Sequence, residues 1–204
     1  MTSATVGKAG VTPRLTGADL VAAVPGLDRQ AEIEVEDVRQ VPGASLTLED
    51  VAAVADCLHK AEAAGVEGMV VTQGTDTLEE TAFLLDLLYR GSVPVVLTGA
   101  MRPPQQPGAD GPANLLAAVS AASCPAIREL GVVVVFADEI HAARQVRKIH
   151  STSTSAFASP GTGPIGHVVE GAVRLHVTPL RPDGVSASVS RPSSGGGRAR
   201  SAGQ

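Results

Sequence analysis

Residues 68–77 read Gly68-Met69-Val70-Val71-Thr72-Gln73-Gly74-Thr75-Asp76-Thr77, a short apolar run that passes directly into a polar, glycine-containing loop. The apolar run suits a strand buried in a sheet. A strand that ends in such a loop is where open α/β sheets place their chemistry. Downstream, Thr77 and Glu80 stand at capping-box spacing. They open a helix whose apolar face is expected from Phe83, Leu84, Leu87 and Leu88, as far as Gly91. Upstream, Thr47-Leu48-Glu49-Asp50 gives a second capping-box start. Val51, Val54, Leu58 and Ala61 follow at helical spacing, and Gly65 can close the helix in a left-handed conformation, which predicts a helix over 47–64. Before it, Ile33 to Val38 alternates apolar with charged residues and is expected to be a half-buried strand.

The same order repeats further on. Pro94 to Leu97 is a short apolar strand that ends in the loop Thr98-Gly99-Ala100-Met101-Arg102-Pro103-Pro104. Asp110 can cap a helix with Pro112 in its first turn, carrying Leu115, Leu116 and Val119 inward, and Gly131 to Phe136 is the most continuous β-branched run in the chain. Strand and helix therefore alternate at least three times over short connections. This predicts an α/β fold: an open, mostly parallel sheet with helices on both faces and right-handed crossovers, its strand-end loops gathered along one edge. After about residue 144 shorter extended pieces follow, with Val168-Val169 and Val173 to Val177 flanking Glu170-Gly171 as a hairpin. Residues 1–178 are read as the folded domain and 179–204, rich in Pro, Gly, Ser and Arg, as a disordered tail.

Composition narrows the function. The 204 residues suffice for one domain with a substantial core, and the net charge of -5 offers no basic field for nucleic acid or anionic membrane. Aromatic residues make up only 2%, which argues against base-stacking platforms and for a core of Ala, Val and Leu. No apolar run approaches the roughly 18 residues of a membrane span, and the amino terminus has no apolar signal core. Cys57 and Cys124 stand far apart, as idle thiols in a reducing compartment would, so a cytoplasmic location is expected.

Thr75 and Asp76 offer a hydroxyl and a carboxylate in one loop, the raw material of nucleophilic amide chemistry. Taken alone, Thr-Asp after Gly is equally a common turn or cap pair, and Lys148 alone reads as a surface lysine. Gly161-Thr162-Gly163-Pro164-Ile165-Gly166 matches G-x-G-x-x-G, but its prolines and late position exclude a dinucleotide fingerprint. His141, His150, His167 and His176 lack a compact ligand spacing, so His141 and His150 are expected to be surface or supporting residues. His59 is expected to have no partner, and neither metal nor organic cofactor is expected.

Several of these segments carry a resemblance. Thr72-Gln73-Gly74-Thr75-Asp76-Thr77-Leu78-Glu79-Glu80-Thr81 resembles a signature of the bacterial-type L-asparaginase family. In the same order follow Thr98-Gly99-Ala100-Met101-Arg102-Pro103, Asp110-Gly111-Pro112-Ala113-Asn114-Leu115, and Ser159-Pro160 with Gly163-Pro164-Ile165-Gly166. The match covers roughly residues 14 to 177. It implies hydrolysis of L-asparagine to aspartate and ammonia through a threonine-based site, with no cofactor, and a homo-oligomer as the assembly. It also implies that the lysine at Lys148 eases deprotonation of the threonine at Thr75, that Asp76 holds the substrate α-ammonium, and that the backbone at Ala100 lines the side-chain amide.

The chain departs from the family in two places. The T-G-G-T-I loop to which the family's primary nucleophile is assigned has no counterpart, so the family's first strand is expected to be missing, with Thr5 to Gly10 resembling the mobile loop downstream of it. The family's smaller carboxyl-terminal domain is likewise expected to be missing. The family's loop tyrosine is also lacking, since the one tyrosine, Tyr89, is placed in a helix. Gly43 aligns with the serine that binds the substrate α-carboxylate, with Ser45 as a substitute. An inactive fragment and an amino-acid-binding pseudoenzyme are therefore the alternative readings.

Overall fold

The computed structural model describes residues 16–128 and 130–180. Three parallel strands form one half of a six-stranded sheet: β1 (Met69–Thr72), β2 (Val95–Thr98) and β3 (Val132–Phe136), with Val70 paired to Val96 and Val96 to Val133. The sheet continues antiparallel through β4 (Glu139–Ala142), β7 (Gly166–Val169) and β8 (Ala172–Leu175). A separate hairpin of β5 (Arg147–Lys148) and β6 (Phe157–Ala158) stands beside it. Two-residue turns of left-handed backbone close both long hairpins: Ala137 and Asp138 (φ 49 and 63) join β3 to β4, and Glu170 and Gly171 (φ 52 and 77) join β7 to β8. This is the turn whose twist matches that of paired strands.

Strand alternation divides the core. Val95, Leu97, Val132, Val134 and Phe136 face α2 (Leu48–Ala63) and α3 (Leu78–Leu88). Val96, Val133 and Val135 face α4 (Gly111–Ala122). The expected helices on both faces are thus present, but the arrangement corrects the expected crossover hand. β1 to β2 and β2 to β3 step the same way across the sheet, yet α3 covers one face and α4 the other. Two such crossovers have opposite hands, so one of them is left-handed, against the strong right-handed rule. Because the strands remain parallel, their loops still meet at one edge.

α2 begins as the sequence predicts: the Thr47 side chain accepts from Asp50 N while the Asp50 carboxylate accepts from Thr47 N, and Gly65 is left-handed at φ 89. An additional short helix, α1 (Gly17–Ala22), uses the same device through Thr16 and Asp19. It helps bring Leu20, Val24 and Leu27 against Leu115 and Val119 of α4.

Other expectations are corrected. Residues 33–38 form no strand; the Asp37 carboxylate accepts from Gly17 N, and the Val38 carbonyl accepts from Arg39. Thr77 precedes α3 without capping it, because its hydroxyl is committed elsewhere. The fully buried stripe of α3 is Leu78, Ala82 and Leu85, continuing to Tyr89; Leu84 and Leu88 pack against the same core as expected, whereas Phe83 is exposed. Tyr89 lies just past the helix, buried, and donates to the Glu62 carboxylate. The expectations for Thr5 to Gly10 and for 181–204 lie outside the described residues.

Candidate active site

The site forms where three loops touch through their backbones at the carboxyl edge of the parallel strands. Gln73 N donates to Thr98 O at 3.0 Å, joining the ends of β1 and β2. A β-carbon on Gly99 would lie 2.4 Å from Gln73 O and 3.3 Å from Thr75 Cγ2, so only glycine permits this approach. A β-carbon on Gly43 would likewise lie 2.8 Å from Gly74 O. The Thr77 hydroxyl donates to Gly43 O at 2.8 Å and accepts from Gln73 Nε2 at 3.1 Å, fastening the third loop. Thr75, Asp76 and Thr77 occupy a single 3-10 turn between β1 and α3.

Lys148 reaches this turn from the β5/β6 hairpin. Its Nζ donates to Thr75 Oγ1 at 2.9 Å and to Asp76 Oδ1 at 3.1 Å. The hairpin is pinned to α3, to β3 and to the core. Lys148 N donates to the Glu79 carboxylate, Phe157 packs against Phe136 at 4.7 Å between ring centroids, and Val146 and Ala156 are buried in the same core. Upstream, Arg144 pairs with the buried Asp86 of α3 at 2.5 Å, and Asp86 also accepts from Val132 N. Lys148 is 17% exposed and Asp76 71%, so the ammonium is held largely in protein while the carboxylate opens to solvent. A cation placed 2.9 Å from a hydroxyl oxygen stabilises negative charge developing on that oxygen.

Thr75, Asp76 and Lys148 are therefore brought together. Ala100 is half-buried immediately after Gly99. Gly43 is buried against Gly74 and offers backbone only, while Ser45 is exposed. Sequence reasoning missed Glu79, whose only signal was an acidic pair opening a helix, and Asn114, which is buried at the start of α4. A groove of about 320 Å³ between the starts of α2 and α3 reaches Thr77 but neither Thr75, Asp76 nor Lys148, so this concavity lies beside the chemistry.

The histidines lie elsewhere. His141, expected at the surface or in support, is fully buried on β4 with Ser159 Oγ 2.9 Å from its Nδ1. Its Nε2 lies 3.2 Å from Glu139 Oε2 without hydrogen-bond alignment. Burial lowers its pKa, opposed by the Glu139 carboxylate. His167 and His176 approach within 2.8 Å across β7 and β8. His150 accepts from the backbone of Thr152 and Ser153, and His59 has a partner after all in Ala55 O at 2.8 Å. Among the described residues no cluster of three or more His, Cys, Asp or Glu is arranged to hold a metal ion, and no helix is long and apolar enough to cross a membrane.

The chain is similar to known proteins over most of its length. The model of the amino-terminal domain of asparaginase matches residues 2–181. L-asparaginase 2 of Escherichia coli strain K12 is 37% identical over 177 residues, covering 87% of this chain and 49% of that protein. A glutaminase-asparaginase of Pseudomonas fluorescens biotype A is 40% identical over 153 residues, covering 74% of this chain and 42% of that protein. The crystal structure of a probable cytoplasmic L-asparaginase from Campylobacter jejuni superposes with a TM-score of 0.80 at 37% identity, over 81% of this chain and 53% of that one. The chain thus spans about half the length of the relatives it matches. With a family match over most of its length and relatives above one-third identity, the chain belongs to the asparaginase family, whose amino-terminal domain it matches.

Proposed function

We propose that this chain hydrolyses the side-chain amide of L-asparagine, with Thr75, Asp76 and Lys148 as the reacting group of residues. The observation that carries the reading is the Lys148 ammonium on the Thr75 hydroxyl at 2.9 Å, made by residues 73 positions apart. Thr75 Oγ1 adds to the amide carbon, the C–N bond breaks, and ammonia leaves with the hydroxyl proton. Water then cleaves the ester to give aspartate and restore the threonine. Lys148 stabilises the charge that develops on Oγ1, and Asp76, exposed beside it, pairs with the α-ammonium of the substrate. Gly43 and Ala100 border the same turn and contribute backbone groups to substrate binding. No cofactor enters this scheme.

The test is ammonia release from L-asparagine by the purified chain, with Thr75→Ala and Lys148→Met beside it. Each variant is expected to lose at least about two orders of magnitude in rate. Release that persists unchanged in Thr75→Ala overturns the reading. Saturable asparagine binding without turnover establishes the amino-acid-binding alternative instead. A small-molecule substrate, an assembly of identical chains and a cytoplasmic location complete the proposal. Free Cys57 and Cys124 suit that compartment, and sedimentation of the purified chain tests the assembly.

A further inference from the structure

The Asp110-Gly111-Pro112-Ala113-Asn114 segment has no part in the mechanism so far, yet it makes a closed set of polar contacts with the loop after β2. The Asp110 carboxylate spans two successive amides, accepting from Met101 N through Oδ2 and from Arg102 N through Oδ1, both at 2.9 Å. It leaves the end of α4 without a side-chain cap to do so. Asn114, 3% exposed, donates through Nδ2 to Gly99 O at 3.0 Å and to Asp110 Oδ2 at 3.1 Å. Its Oδ1 accepts from Ala137 N at 3.0 Å, at the left-handed β3–β4 turn.

These contacts fix the two peptide planes on either side of Ala100. Gly99 C=O points to Asn114 and Met101 N–H points to Asp110. No peptide bond in the described chain is cis, and in a planar trans peptide C=O and N–H point in opposite directions. Ala100 N–H is therefore directed away from Asn114, and Ala100 C=O away from Asp110. Neither makes a backbone hydrogen bond within the described residues, and the loop holding Thr75 touches Gly99 next door. One residue thus presents a free donor and a free acceptor side by side, which is the complement of a primary amide.

We infer that Asp110 and Asn114 are positioning residues that aim the backbone of Ala100, so that the site distinguishes a side-chain amide from an apolar group of similar size. This inference rests on the function proposed above. A site built to hydrogen-bond a polar group discriminates strongly against an analogue that lacks it, because its buried groups are then left unpaired.

The test follows amide resonances of the ¹⁵N-labelled full chain during titration with L-asparagine, and separately with L-norvaline, which has a side chain of similar reach and no amide. In the unsubstituted chain, asparagine is expected to shift Thr75, Asp76 and Ala100, and norvaline Thr75 and Asp76 alone. In Asn114→Ala the Ala100 response is expected to disappear and the asparagine-to-norvaline affinity ratio to fall about tenfold or more, while Thr75 and Asp76 still respond. A purely structural role would weaken both ligands alike and leave the ratio unmoved. Asp110→Asn, which keeps the shape and loses the charge that grips Met101 and Arg102, is expected to lower the ratio in the same direction, and it decides the matter if Asn114→Ala does not fold. An unchanged ratio in a folded variant overturns the inference and leaves the proposed function standing. Asparagine that shifts none of the three amides in the unsubstituted chain overturns both.

Discussion

Gly99→Ala should damage the site more than any surface substitution of similar size. The added β-carbon would sit 2.4 Å from Gln73 O, a backbone atom with no flexible side chain to give way. The loops must separate by about 0.6 Å merely to reach 3.0 Å, a distance that β-carbon contacts essentially never undercut. That separation pulls on the Gln73 N to Thr98 O bond and displaces the adjoining turn, in which Thr75 Oγ1 is held 2.9 Å from Lys148 Nζ. Overpacking of this kind costs about 1–3 kcal/mol. For a domain of this size that lowers the melting temperature by roughly 2–12 °C. A displacement approaching 1 Å at reacting groups costs about a hundredfold in rate. The control is Gly65→Ala, where the backbone is left-handed, at φ 89, and no atom lies within 4 Å of the added carbon. It should cost about 1 kcal/mol through backbone strain and leave ligand response at Thr75 unaltered. Thermal unfolding followed by circular dichroism, paired with asparagine titration, reads both effects. If Gly99→Ala melts and responds to asparagine as the unsubstituted chain does, the claim that the two loops are in forced contact is wrong.

Three further outcomes rest on contacts away from these loops. Asp86→Ala strips acceptors from Val132 N and Arg144, and should destabilise the fold by about 1–3 kcal/mol for the orphaned buried amide alone, read as a lower urea midpoint at unchanged slope. Stability should also fall on mild acidification. His141 has its pKa lowered by burial from 6.5, so the unfolded chain binds that proton at a higher pH than the folded one. Its contribution is complete above pH 6.5 and is lost as pH falls toward the folded pKa, at up to about 1.4 kcal/mol per pH unit. Urea denaturation at pH 7.5 and 5.5 tests this, and a flat or rising stability would contradict it. Thr47→Ala removes the hydroxyl from an exposed capping box and should cost about 1 kcal/mol, seen as a lower melting temperature with no change in asparagine response.

What was legible from the sequence followed the range of the forces involved. α2 and the parallel strands rest on local signals, a capping box over four residues and unbroken runs of valine, and those elements lie within a residue or two of where the sequence places them. The inward stripe of α3 was legible only in part: Leu84 and Leu88 pack against the core as expected, but the fully buried positions are Leu78, Ala82 and Leu85, and Phe83 is exposed although it is apolar. β4 was not anticipated, since Ala137-Asp138 is a left-handed turn without the Asn-Gly or Asp-Gly that usually marks one. Ile33 to Val38 has the alternation of a strand but makes no ladder among the described residues, and alternation alone supplies no hydrogen-bond partner. Thr75 and Asp76 were placed by the motif they sit in. Their meeting with Lys148 is a tertiary fact that no local pattern encodes, because it depends on a hairpin returning across 72 residues.

That return also explains why the sheet changes character where it does. A third parallel crossover after β3 would carry the chain around a face of the sheet and away from the loops. The tight turn at Ala137-Asp138 reverses it instead, and β4 runs back beside β3 to Ala142. From there Arg144 is caught by Asp86 and Val146 enters the core, so that Lys148 emerges against the first turn of α3, where Glu79 holds its backbone. Two of these fastenings, at Asp86 and Glu79, are made to α3, the helix that begins with the turn carrying Thr75 and Asp76, while Val146 and the Phe157–Phe136 contact tie the segment to the core and to β3. The cation and its two partners are therefore held by α3, β3 and the core between them, so loosening the outer strands β7 and β8 should disturb their geometry less than a single cut at Asp86. A destabilised β7–β8 hairpin, made by Gly171→Val at its left-handed turn, should accordingly lower the melting temperature while leaving the asparagine response of Thr75 in place. Loss of that response in a folded Gly171→Val chain would show that the antiparallel half holds the site directly.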